Sequence, residues 1–158
     1  MASLQDNLAG LLLASKEYFD RSTRVLEEAD SGYRPTKGMM TVAQQVAHTA
    51  QTIDWFIGGA CRPDGFDMDF EGAAKALEAV NSLTAARRML DSAYANAVAF
   101  VKSQTSESLA RPLPGPIMGG QPASDVVGGA IEHTAHHRGA LTVYSRLLGK
   151  VPPMPYGE

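Results

Sequence analysis

The chain has 158 residues, 44% apolar and 20% charged, with a formal net charge of −3, which is the size of one domain able to bury a substantial core. Its Lys and Arg are scattered, so no basic stripe offers itself to nucleic acid and no polybasic run to anionic lipid; no stretch approaches the roughly 20 apolar residues of a membrane span. A lone cysteine, Cys61, excludes an internal disulfide and fits a reducing, cytoplasmic setting.

The apolar pattern is helical from end to end. In the first segment Leu4, Leu8, Leu11, Leu12, Phe19, Val25 and Leu26 recur at helical spacing. The run LAGLLLA within it follows Asp6 rather than a basic segment and passes straight into charged helical pattern. It reads as an amphipathic helix, not a signal peptide. DSGYRPTKGMM (Asp30–Met40) breaks the helix with Gly32 and Pro35. Thr41 is placed to N-cap a second helix over 42–60, with Val42, Val46, Ala50, Ile53 and Ile57 as its apolar stripe. A loop follows over 61–69, then a short helix over 72–80. Ser82 caps a long helix to Lys102, with Leu83, Ala86, Leu90, Ala93, Ala97 and Val101 inside. Residues 104–125 form a Pro/Gly-rich connection, and structureless loops beyond about 15 residues are uncommon in compact domains and often functional. The last helix covers 124–148, with Gly149 as a left-handed cap and Pro152 and Pro153 as stops. No strand-like alternation and no internal repeat interrupts this pattern. Four long amphipathic helices predict an all-α protein, a four-helix bundle forming a single domain over 1–158.

The histidines are distributed unevenly. His133, His136 and His137 lie on the last helix and His48 on the second. At about 100° per residue, Val126, Ala130, His133, His137, Leu141, Tyr144 and Leu148 share one stripe, so two imidazoles enter the core-facing side. At i and i+4 their Cβ atoms lie about 6 Å apart, the spacing at which one helix can offer two ligands to one metal ion. The other reading is two core histidines satisfied by hydrogen bonds. His136 lies about 60° round the helix from His133, at the edge of the bundle. His48 shares a face with Thr41, Gln45, Thr52 and Trp55, away from the apolar stripe. Periodicity makes it either an exposed histidine or part of the wall of a cleft.

Two segments, RPTKGMMTVAQQVAHTAQTIDWF (Arg34–Phe56) and HTAHHRGALTVYSRLLGKVPP (His133–Pro153), resemble the DinB family of DinB/YfiT-like proteins, and the resemblance extends over nearly the whole chain. It implies an up-and-down-type four-helix bundle, commonly a homodimer. It also implies a divalent metal ion (Zn, Ni or Fe) held by one histidine of the second helix and two from an HxxxHRGQ-type motif on the last. Carried over residue by residue, the ligands are His48, His133 and His137. This chain has RGAL where many members have RGQL, so Ala140 supplies no side-chain hydrogen bond.

Three protein ligands leave a coordination position for water or substrate, as in catalytic rather than structural zinc sites. The resemblance implies a small metal-dependent enzyme, a thiol-dependent S-transferase or a hydrolase, with a low-molecular-weight thiol or a small electrophile as its partner. No catalytic residue beyond the ligands is assigned. The alternative is a non-catalytic, stress-associated metal-binding protein with a structural or sensing metal. Gln45 and Thr52 are expected to orient the rings. Trp55, Tyr144 and the connection around Arg111–Gly120 are candidates for the pocket wall. Arg138 either anchors the connection or neutralises an anionic substrate. Cys61 reads as a buried, inert thiol. The ligand nitrogens are expected about 3–3.5 Å apart.

Overall fold

The computed structural model describes residues 2–157. Among them it forms α1 (Leu4–Thr23), α2 (Val42–Cys61), α3 (Phe70–Glu78), α4 (Leu83–Ser103), α5 (Ser106–Ala110) and α6 (Asp125–Leu147), with a 3₁₀ turn at Glu28–Asp30. Short polar side chains start three of the four long helices. Ser3, Thr41 and Ser82 accept hydrogen bonds from the amides of Asp6, Gln44 and Ala85, donors that have no partner inside a helix. At the other end of α6, Gly149 adopts φ 75°, and the amide of Lys150 reaches back to the carbonyl of Ser145 at 2.8 Å, closing the last turn.

Hydrogen bonds between helix ends fix the directions. Gln5, at the start of α1, donates to the carbonyl of Gln104 just past α4 (2.9 Å). Arg87, early in α4, donates to the carbonyl of Thr23 at the end of α1 (2.8 Å), so these two helices are antiparallel. Gln45 of α2 donates to Tyr144 near the end of α6 (3.2 Å), which makes that pair antiparallel as well. Ser31 joins the starts of α2 and α4. Its hydroxyl accepts from the amide of Leu83 (2.8 Å) and its carbonyl from the amide of Ala43 (3.1 Å), so α2 and α4 are parallel. The order is therefore up, down, down, up, with α1 and α2 each packed on both α4 and α6. The expectation of an up-and-down arrangement is corrected in this respect. Parallel α2 and α4 require the chain to return along a helix about 30 Å long, and the segment carrying α3 makes that return against the side of α2.

The core lies between the four long helices. Leu12, Phe19, Val46, Ile53, Leu90, Val101, Val126 and Leu141 are all 1% exposed or less, each worth about 1.5–3 kcal/mol of burial. The first apolar pattern proves to serve two faces. Leu12 and Phe19 are buried, while Leu4 and Leu11 are 44% and 55% exposed. α1 also stops at Thr23, before Val25 and Leu26, where Arg87 donates to the carbonyls of Thr23 and, past the helix, Leu26. The connection over 104–124 is ordered rather than structureless. It contains α5 and an antiparallel bridge between Pro112 and Pro122, and it buries Leu109 and Leu113. No helix of the described residues is long and apolar enough to cross a membrane.

Candidate metal centre

Because α2 and α6 run antiparallel, His48, two turns into α2, faces the middle of α6. There it meets His133 and His137. Ring centroids are 4.4 Å apart for His133 and His137, 4.9 Å for His48 and His137, and 5.0 Å for His48 and His133. One ring nitrogen of each lies within 4.8 Å of the others. The Nε2 atoms of His133 and His137 are 3.1 Å apart, within the spacing expected of two nitrogens sharing one ion at about 2.0–2.1 Å. The set that includes His48 is held within the wider bound of 4.8 Å.

A relay behind His137 selects its tautomer. The carbonyl of Met40 can only accept, so the Tyr144 hydroxyl donates to it (2.9 Å). That hydroxyl in turn accepts from Nε2 of Gln45 (3.2 Å). The Gln45 amide is thereby oriented with Oε1 toward Nδ1 of His137, with which it is hydrogen bonded. Since Oε1 only accepts, Nδ1 carries the proton and Nε2 keeps its lone pair toward His133. Nδ1 of His133 is buried without a hydrogen-bond partner among the described residues. With the His137 proton on Nδ1, the 3.1 Å contact between the two Nε2 atoms places the proton of metal-free His133 on its Nε2, and binding an ion there would move that proton to Nδ1.

The electrostatics act in the same direction. Burial, then the charges that His48 and His136 can carry, push His133 down to about 4. Burial and repulsion by His133, His48 and His136 push His137 down to about 3. His48 is lowered too, by burial first and by His136 second. At neutral pH the cluster is a set of uncharged imidazoles, donors suited to Zn, Ni or Fe. By donor chemistry, spacing and tautomer, these three residues could hold a divalent ion.

His48 and His133 form the inner wall of a cleft of about 290 Å³ between α2 and α3, with Thr52, Trp55, Phe56, Phe70 and Ala73. His137 is only 6% exposed and lies behind them. His48 is half-buried, so the polar face of α2 is a cleft wall and not open surface.

Several sequence expectations change in detail. Gln45 orients a ring, but it is that of His137 across the helix pair, not that of its neighbour His48. Tyr144 is 1% exposed and anchors Gln45 instead of lining the cleft. The segment around Arg111–Gly120 contributes no lining residue; Arg111 instead donates to the carbonyl of Ala60 at the end of α2 (2.6 Å). Arg138 donates to the Tyr156 hydroxyl (3.3 Å) and lies against the rings of Tyr18 and Tyr156, so it anchors the C-terminal segment to α1 and not the long connection. Cys61 is exposed, not buried, and partial burial of its thiol pushes its pKa up, away from the reactive thiolate range. His136 is exposed and stands outside the triad.

The sequence reading missed Phe56, Phe70, Ala73 and Gly129. A Cβ at Gly129 would come within 2.5 Å of the Phe56 ring, so the glycine lets that ring lie against α6 one turn before His133. The glycine in this helix four residues ahead of a ligand position was the one available signal.

A family model described as the DinB superfamily matches residues 12–141. Among solved structures, a DinB-like protein (YjoA) from Bacillus subtilis superposes with a TM-score of 0.68 at 16% identity, covering 96% of this chain and 99% of that one. At that identity the likeness is one of fold. No curated protein matches the chain.

Proposed function

The chain belongs to the DinB superfamily, and on that premise we propose that it is a small metal-dependent enzyme whose His48, His133 and His137 hold one divalent ion, Zn, Ni or Fe. The observation that carries this reading is the pair of facing Nε2 atoms 3.1 Å apart, one with its lone pair held in place by Gln45, at the inner end of an open cleft. When bound, such an ion lowers the pKa of a coordinated water or thiol, so that a nucleophile exists at neutral pH. The protein's own residues do the rest. Gln45 and Tyr144 hold His137 in the ligating tautomer. His48 and His133 keep the cleft side of the triad open to a small molecule. Trp55 and Phe56 exclude water from that side. The reaction class we favour is thiol-dependent S-transfer to a small electrophile, with hydrolysis as the second option. We also place the chain in the cytoplasm as a homodimer.

A non-catalytic metal is favoured by one observation: the triad bridges α2 and α6, so an ion there would also brace the bundle. The two readings separate in one set of measurements. Protein stripped with chelator is titrated with Zn, Ni and Fe, then assayed with a panel of low-molecular-weight thiols and 1-chloro-2,4-dinitrobenzene. The enzyme reading expects one ion per chain and turnover lost on chelation. It also expects His137→Ala to lack metal and activity but keep its helical signal, and His136→Ala to retain its metal. A bundle that unfolds on chelation, with no turnover from any loaded form, supports the structural metal.

A further inference from the structure

The cleft beside His48 and His133 carries information about its ligand. Trp55, Phe56 and Phe70 supply its aromatic walls, and the polar groups beside them, Gln51 and Thr52, are uncharged. Trp55 stands 5.1 Å from Phe56 and 6.1 Å from Phe70, centroid to centroid. The indole is held by a 2.7 Å hydrogen bond from its Nε1 to the carbonyl of Asp67, so its one polar atom is already satisfied. Phe70, at the start of α3, is 55% exposed although nothing in the core requires a phenyl ring there. Farther along α2 the cleft continues into a polar end lined by Asp54, Asp67, Asp69 and Arg62. Arg62 is already paired with Asp64 and Asp67, which leaves that end negative.

We propose that this cleft binds a neutral, ring-sized apolar group of the substrate, stacked against Trp55 and Phe70, with the negative outer end selecting against anionic ligands. Its volume of about 290 Å³ suits one aromatic ring with a short substituent. Aromatic faces reward offset or edge contacts with another ring, and the polar groups of the lining, Gln51, Thr52 and the imidazoles, include no Lys or Arg to compensate the desolvation of a carboxylate. The proposal rests on the metal reading for what the pocket serves, though not for whether it binds.

Trp55 is the sole tryptophan of the chain, so its emission reports directly on the cleft. The test uses chelated full-length protein, where a carboxylate can gain nothing by ligating a metal. Benzyl alcohol should change the emission saturably in the millimolar range, and the isosteric benzoate should bind at least fivefold more weakly. Ala73→Phe, which fills the cleft from the exposed side of α3, should weaken benzyl alcohol at least fivefold. Phe70→Ser should weaken it about threefold, since both positions lie outside the core and leave the bundle intact. No saturable change, benzoate binding as tightly as the alcohol, or an unaffected Ala73→Phe overturns the proposal. Zinc titration of the same samples is scored separately. Benzyl alcohol bound without any zinc uptake would sink the metal reading and support the pocket; zinc uptake without benzyl alcohol binding would do the reverse.

Discussion

Gln45 decides which nitrogen of His137 can ligate, because its amide is held by Tyr144 and through it by a backbone carbonyl that has no alternative role. Gln45→Leu should therefore weaken zinc binding about 10–100-fold while the bundle stays folded. It should also cost about 1–3 kcal/mol, from the buried ring N–H left without an acceptor. Zinc competition against a chromophoric chelator measures the first, and urea unfolding the second. Unchanged zinc affinity would show that the relay does not tune the site. The same burial makes acid sensitivity predictable in the metal-free protein. Below pH 6.5 the unfolded chain takes up protons that His133, held at about 4, and His137, held at about 3, refuse in the fold. The unfolded state then binds more protons, so stability falls as pH falls. The limit is about 1.4 kcal/mol per pH unit for each ring, reduced by solvent screening. Urea unfolding of chelated protein at pH 7 and pH 5 should show this decline, and a flat profile would contradict the depressed values.

At the scale of elements, the junction at Ser31 does more than its loop position suggests. One hydroxyl ties the start of α4 to the turn that also caps α2, accepting from Leu83 and donating to the carbonyl of Glu28. It pins the starts of the two parallel helices side by side, while the apolar stripes of α2 and α4 hold the pairing along its length. Ser31→Ala leaves the Leu83 amide without its acceptor in a buried setting, at a cost of about 1–3 kcal/mol. A melting temperature lower by about 2–12 °C is expected by calorimetry. A shift under one degree would mean that water replaces the hydroxyl. The helices themselves were legible in the sequence because capping and 3.6-residue periodicity are local. Thr41 and Ser82 cap the helices they were expected to cap. The end of α1 was not legible, because it is set by Arg87, sixty-odd residues away in the chain.

For the whole molecule, the faces left uncovered matter most. Leu4 and Leu11 of α1, seven residues apart and so on one face, are 44% and 55% exposed, and with Leu8 and Ile131 they line one open apolar groove. Light scattering of the full chain at micromolar concentration should give twice the mass of one chain. The double variant Leu4→Glu, Leu11→Glu should shift it toward the monomer. A monomeric wild-type protein would remove the homodimer from the proposed function.

The four long helices, the stripe that carries His133 and His137, and the exclusion of His136 from it were determined by the sequence alone, since each follows from periodicity about a single helix axis; the short α5 inside the connection was not. The place of His48 was not. Its own helix put it away from the apolar stripe, and only the antiparallel docking of α2 on α6 turns that polar face toward the two other rings. The same holds for the cleft. Phe70 and Ala73 are unremarkable in the sequence, and they became lining residues only because parallel α2 and α4 force the intervening chain back across the mouth of the site. Periodicity determines what a helix shows to its surroundings. Which surroundings it meets depends on the order and direction in which the helices pack.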